Sequence, residues 1–290
     1  MPLFAVMDRN TASRIMRIDT DKDTDQKLVK MFNEQHAKFE SHNDTEISFF
    51  AGYKPSYSEC FYLDDFAETN ELIDAIKRST AVPVWDPKTV PMEHIKALFV
   101  AVENAKNGNK IALQTFNKSQ ILDVSKSLWL SNNVFTMSSS VGFNIDEKLV
   151  ATIHGKKIKF KSLQKLRSIF NMDIYFSEAT NKDLTDFCAH EAFKLADGFD
   201  MNIIADTVIR TKITLINKSK ILDDYDIGTL KLAAEKIKFD LQTYNENGVE
   251  KISMPSTKKE VKALLTFLDE DIFTAEISKK VFRSNSKRPY

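Results

Sequence analysis

Glycine is sparse in this chain. There are seven in 290 residues, and the nearest two, Gly142 and Gly155, stand well apart. Loops that cradle phosphate groups need clustered glycines so that the backbone can approach the ligand, and the spacing here excludes such a loop. The two cysteines, Cys60 and Cys188, give neither a disulfide framework nor a metal-ligand spacing, and read as buried thiols of a reducing cytoplasm. The longest unbroken apolar run, residues 97–102, is far too short to span a membrane. The opening MPLFAVMDRN is charged too soon for a signal peptide. No G-x-S-x-G is present and neither cysteine sits in a catalytic motif, so nucleophilic catalysis finds no support.

The most informative absence is of acid. Between Glu147 and Asp173 there is no Asp or Glu, while Lys148, Lys156, Lys157, Lys159, Lys161, Lys165 and Arg167 all fall in the gap. The chain as a whole is neutral, with 41 basic and 41 acidic residues, so this is a local concentration of charge. Residues 1–100 carry 12 Lys/Arg against 17 Asp/Glu, leaving 29 against 24 for the remainder. A binding surface for a polyanion would therefore be local, with acidic surface elsewhere. The stretch HGKKIKFKS reads as a turn followed by a strand. Side chains alternate along a strand, which sends Ile158 and Phe160 inward and sets Lys157, Lys159 and Lys161 as a ladder on the opposite face. Phosphate contacts favour positive charge spaced along a line. Equally, lysines keep an exposed edge strand soluble.

The pattern predicts an α+β fold, with a mixed or antiparallel sheet in the N-terminal and middle parts and a mainly helical C-terminal region. Strands are predicted at 14–18, 47–51, 59–63, 134–137, 149–154 and 157–160, and helices at 25–39 and from Thr69, as its cap, through Ile76. Two apolar runs, 94–103 and 110–116, flank AKNGN, a hairpin signal. Pro83, Pro87 and Pro91 cannot lie inside a helix and suggest a seam. The expected divisions are 1–90, 91–175 with the basic hairpin, and 176–290. Ser162 is set to cap a helix through Phe170. Further helices are predicted at 180–196, closing at Gly198, and at 203–211, 229–243 and 256–268, with 251–254 extended. NKSQILD at 117–123 and NKSKILD at 217–223 match at six of seven positions, but a single pair is no repeat array.

Metal chemistry lacks a pattern. Cys188, His190 and Glu191 do not share a helix face, and the acid run from Asp19 to Asp25 lacks the glycine and terminal glutamate of a calcium loop. It suits the loop before a helix N-terminus, where carboxylates are favourable. Asp269, Glu270 and Asp271 form a compact acid cluster that could serve a Mg²⁺-dependent nuclease; a solvated helix end is the ordinary reading. No cofactor and no metal is expected. Nucleic acid finds more support. The basic strand is joined by an acid-free tail, residues 277–290, with Lys279, Lys280, Arg283, Lys287 and Arg288. Gln114, Asn117, Lys118 and Gln120 add donors, and Phe116, Trp129, Phe282 and Tyr290 add aromatic rings.

Four ordered segments, YSECFYLDDF (57–66), IALQTFNKSQIL (111–122), KLVATIHGKKIKFKSLQKLRSIFNM (148–172) and VFRSNSKRPY (281–290), together resemble the KwaB-like family, the soluble component of the Kiwa anti-phage system. The resemblance implies a cytoplasmic protein of bacterial antiviral defence that binds DNA with little sequence preference and self-associates as a dimer. It further implies a small multi-spanning membrane partner of the same operon, which would hold the protein at the inner membrane. It carries over no catalytic residue. The leading expectation is electrostatic capture of phage DNA, blocking its replication or transcription. Lys156, Lys157, Lys159, Lys161, Lys165, Arg167, Arg283, Lys287 and Arg288 would be the contacts. The alternatives are a Mg²⁺-dependent nuclease using Asp269 and Asp271, and an adaptor that binds only protein.

Overall fold

A computed structural model describes residues 2–102, 110–122, 128–137, 141–284 and 286. The fold is α+β, in two compact units. Unit 1 holds Met1–Phe49 and Pro55–Asn171; unit 2 holds Phe50–Lys54 and Met172–Tyr290. The proline-bearing stretch 82–91, expected as a seam, lies within unit 1. It is tied there by the Arg17 amide, which donates to the Pro83 carbonyl at 2.8 Å, and by a bridge between Arg17 and Val84.

In unit 1 the chain runs β1 (Leu3–Met7), β2 (Ile15–Ile18), α1 (Lys22–His42), β3 (Thr45–Ser48), β4 (Glu59–Leu63), α2 (Thr69–Lys77), β5 (Ile95–Ala101) and β6 (Lys110–Thr115). It continues through β7 (Ile121–Leu122), β8 (Leu128–Ser131), β9 (Val134–Met137), β10 (Gly142–Phe143), β11 (Ala151–His154), β12 (Lys157–Phe160) and α3 (Leu163–Arg167). Eight of these strands form one sheet in the order β2-β1-β5-β6-β11-β12-β4-β3. All its pairings are antiparallel except β3 with β4. The basic strand β12 is therefore an inner strand, not an edge.

Period-two alternation decides what each face of the sheet buries. Ile158 and Phe160 are fully buried, as the lysine pattern predicts, and Phe160 meets Phe61 and Phe49 with ring centroids 5.7 and 5.6 Å away. The opposite face buries Leu3, Ala5, Leu98, Val100 and Ala112 against Leu28 and Phe32 of α1. Helix α1 starts at Lys22, three residues before the expected Asp25, so Asp23 and Asp25 lie in its first turn rather than in the loop before it; Asp21 caps it, its carboxylate accepting from the Thr24 amide. Thr69, expected as a cap, is instead the first residue of α2; it is buried, and its hydroxyl donates to the Phe66 carbonyl. Ser162 caps α3 as expected, accepting from the Lys165 amide.

Between β11 and β12 the turn is two residues long. Gly155 takes φ +60° while Lys156 stays out of the positive-φ region, the pattern of a type II′ turn. A β-carbon at Gly155 would meet nothing within 4 Å, so only backbone strain opposes one. Gly155→Ala is expected to cost about 1–2 kcal/mol, measured as a shift in the urea unfolding midpoint. An unchanged midpoint would show that the turn relaxes freely. The hairpin signal AKNGN lies outside the described residues.

Unit 2 contains α4 (Asn181–Cys188), β13 (Phe193–Lys194), α5 (Met201–Ile204), α6 (Thr207–Ser219), α7 (Ile221–Asp224) and α8 (Ile227–Lys236). After these come β14 (Thr243–Glu246), β15 (Val249–Ser253), α9 (Lys258–Leu268), β16 (Ile272–Thr274) and β17 (Val281–Arg283). Its core gathers Ile209, Ile213 and Ile216, at helical spacing on α6, with Val261, Leu264, Leu265 and Leu268 of α9. The helix predicted at 180–196 starts on a capping box between Thr180 and Asp183 but stops at Cys188. Phe193 and Lys194 leave it to pair in parallel with Ile252 and Ser253. Asn247 and Gly248, both at positive φ, form the β14–β15 hairpin turn. The two near-identical heptapeptides differ in structure. Residues 118–122 form a 3-10 turn and a strand, while 217–223 run from the end of α6 into α7. No helix among the described residues is long and apolar enough to cross a membrane.

Candidate anion-binding groove

The lysine ladder of β12 meets acid contributed from elsewhere in the chain. Registers place Ala112, Thr152, Lys159 and Tyr62 side by side across four strands, on the face that α1 covers. Glu40, near the end of α1, reaches over them. It accepts from the Thr152 hydroxyl at 3.0 Å and from Lys159 Nζ at 2.6 Å. Lys159 Nζ also lies 2.8 Å from Glu46, which pairs with Lys157 as well. The Lys159 side chain is only 17 % exposed.

Burial alone would push the Lys159 ammonium down; its hydrogen bonds to Glu40 and Glu46 outweigh that and hold it above the usual lysine range. Burial pulls the Glu40 carboxyl up, but the hydrogen bonds from Lys159 and Thr152 more than reverse it. Hydrogen bonds from Lys157 and Lys159 hold Glu46 low. Lys157 further lies 4.0 Å from the centroid of the Tyr62 ring. These two ammoniums are built into the fold as ion-pair partners.

The remaining expected contacts lie differently. Lys156, on the β11–β12 turn, is exposed, with Asp65 3.6 Å away. Arg167 is half-buried, and Lys165 is exposed at the start of α3. Lys161 donates to the Tyr57 carbonyl and sits 5.5 Å from the centroid of the Tyr57 ring. Arg283 is exposed on β17 of unit 2. Lys287 and Arg288, with Tyr290, lie outside the described residues. Of the donors expected along and after β6, Gln114, Asn117 and Gln120 are engaged, while Lys118 is exposed. Gln114 is fully buried and donates to the Asp146 carbonyl at 2.8 Å, and Asn117 and Gln120 bond to one another as a capping box.

Lys161 and Lys165 instead border a half-open groove of about 770 Å³ in unit 1. One wall is the C-terminal half of α1, with Met31, Lys38 and Phe39; the other is the 145–150 segment, with Ile145, Lys148 and Leu149. Four lysines, Lys38, Lys148, Lys161 and Lys165, and His42 line it, against Glu34, Asp146 and Glu147. Tyr57 stands at this groove 79 % exposed, between the His42 ring, steeply inclined to it with centroids 6.0 Å apart, and the Lys161 ammonium. Sequence reading missed Tyr57 and Lys38. Both sit in stretches whose local pattern signals only a turn and a helix surface.

The acids considered for metal chemistry are committed otherwise. Lys212 of α6 lies 2.8 Å from Asp269 and 2.5 Å from Asp271, so both carboxylates are ion-paired within the chain. His190 faces Asp223 at 3.2 Å. Glu260 closes the cap of α9 with Thr257, and Lys262 pairs with Asp206, the cap of α6. Among the described residues no three His, Cys, Asp or Glu side chains converge as metal ligands. Cys60 and Cys188 are buried, and burial pushes both thiols up to about 11, which keeps them protonated and unreactive near neutral pH. Comparison of the chain with protein-family models, curated proteins and solved structures returned no match.

Proposed function

We propose that the protein binds nucleic acid with little sequence preference through the groove of unit 1, as a DNA-binding protein of antiviral defence. One observation carries the reading: an exposed aromatic ring, Tyr57, standing in a groove lined by Lys38, Lys148, Lys161 and Lys165. Lysines spaced along a channel suit a phosphate backbone, and an exposed ring between them offers a platform on which any base can stack. The contact set thereby shifts from the strand ladder to the groove. Lys161 and Lys165 remain in it, Lys38, Lys148 and Tyr57 join, and Lys157 and Lys159 act through the fold. The resemblance to the KwaB-like family supplies the rest of the proposal. The DNA is a phage's, its capture blocks replication or transcription, and the protein works as a dimer beside a small membrane-embedded partner.

In a fluorescence-anisotropy titration with single-stranded and duplex DNA, affinity is expected to fall steeply with salt. Lys148→Glu/Lys165→Glu is expected to weaken binding at least tenfold and to lower the salt slope by about two, one unit per phosphate contact. Tyr57→Ala is expected to cost about 1–3 kcal/mol on single strands through lost base stacking. All three residues are partly or largely solvent-facing, so unfolding midpoints are expected to stay put. Unchanged affinity in the double variant would remove the groove from the assignment. Absence of any DNA binding by the wild type would remove the function.

A further inference from the structure

Residues 127–145 contain no charged side chain, although 28% of the chain is Asp, Glu, Lys or Arg. Within this stretch β8 and β9 form a two-stranded antiparallel sheet of their own, turned at Asn132 and Asn133, both at positive φ. That is the geometry of a tight two-residue hairpin, which Asn tolerates. The register pairs Leu128 with Met137 and Leu130 with Phe135. Alternation puts these four side chains on one face, and all four are exposed, at 62 %, 63 %, 62 % and 64 % respectively. Val134 and Val141 add 60 % and 64 % exposure close by in sequence. Isolated exposed hydrophobics are ordinary; a contiguous uncharged face of four is not. Neither strand carries the lysine, proline or bulge by which solvent-exposed strands are usually protected.

We propose that this hairpin face is the surface through which two copies of the chain associate. The inference rests on the self-association included in the function above and gives it a location. Three observations select a second copy as the occupant. Four side chains exposed to this degree present on the order of 500 Å², about the largest patch found on a typical monomer. A second copy supplies a matching face, and two such faces together bury on the order of 1,000 Å², the threshold of a specific interface. A face without charge is complementary to itself, and a chain of 41 cations and 41 anions meets its copy without net repulsion. A lipid surface fits less well. The hairpin tip is Ser131-Asn132-Asn133 rather than apolar, and no lysine or arginine lies within residues 127–145 to engage headgroups.

The test is sedimentation equilibrium of the full chain over nanomolar to high micromolar concentration, in parallel with the DNA titration. The wild type is expected to dimerise. Leu130→Glu/Phe135→Glu is expected to weaken the dimer at least a hundredfold, with a thermal midpoint matching the wild type at concentrations where both are monomeric, because both side chains are exposed in the single chain. Leu130→Ser/Phe135→Ser serves the same purpose, at least tenfold, should the charged variant fold poorly. A wild-type dimer that both variants retain would overturn the assignment to the hairpin while leaving self-association standing. A wild type monomeric throughout would overturn both. A monomeric wild type that co-sediments with phosphatidylcholine vesicles would overturn the proposal in favour of lipid. DNA affinity is read separately, so loss of the groove's function cannot be mistaken for loss of the interface.

Discussion

Replacing Lys159 by Glu is expected to destabilise unit 1 by about 3–5 kcal/mol, the usual consequence of leaving a buried charge without its partner. The substituted carboxylate would face Glu40 and Glu46 in a site where the native lysine is 17 % exposed. Lys159→Met, which keeps the apolar stem, is expected at the lower end of that range, because Lys157 still pairs with Glu46. The effect has a pH signature. Glu40 and Glu46 are both held below the ordinary glutamate range in the folded protein. Depressed carboxylates contribute stability that is present above the unfolded pKa, about 4.3, and lost as pH falls through the folded value. Lys159, held high, contributes below about pH 10.4 and loses its contribution only as pH rises through its raised folded value. The wild-type and Lys159→Met proteins should therefore differ most between about pH 5 and 10, and the gap should close on acidification below pH 4. Urea unfolding at pH 7 and pH 3.5 checks this; equal differences at both would place the cluster's charges in water. A practical corollary concerns DNA binding. Reversing Lys157, Lys159 and Lys161 together would abolish a gel shift by unfolding, so that experiment does not report on phosphate contacts.

The second large effect is expected in unit 2. Lys212→Met would leave Asp269, 11 % exposed, and Asp271, 1 % exposed, without the ammonium between them. The expected loss is about 3–5 kcal/mol. Neutralising the triad together, as Lys212→Met/Asp269→Asn/Asp271→Asn, is expected to recover much of it, because the destabilisation comes from removing the positive charge that balances two buried carboxylates. A loss below about 1 kcal/mol for Lys212→Met would mean that water already solvates the triad.

What could be seen in the sequence was whatever depends on near neighbours. The alternation in KKIKFK placed Ile158 and Phe160 inside, and Ser162 announced a helix start through a side chain that reaches three residues ahead. What could not be seen was whatever depends on distant partners. Glu40 is 119 positions from Lys159, and Glu46 is 111 from Lys157, so an acid-free stretch of sequence is not an acid-free place in the fold. Phe193 and Lys194 continue an apolar helical rhythm, and only Ile252 and Ser253 draw them into a strand. Pro83, Pro87 and Pro91 break helix anywhere, but whether such a break separates domains depends on which strands pair across it; here β1 and β5 do. The groove combines α1, Tyr57, the approach to β11 and the start of α3, four places that no local pattern links.

The inner position of β12 also sets an order of events during synthesis. Ile158 pairs with Leu63, 95 positions earlier, and β3 joins the sheet only through β4. At about 5–20 residues per second, β3 and β4 leave the ribosome roughly 5–20 s before the strand that attaches them to the sheet. During that interval Glu40 and Glu46 have no lysine from β12 to meet. Completion of the N-terminal sheet is thus a late, long-range event, of the kind that folds slowly. A nascent chain halted before β12 carries β3 and β4 with only each other to pair with.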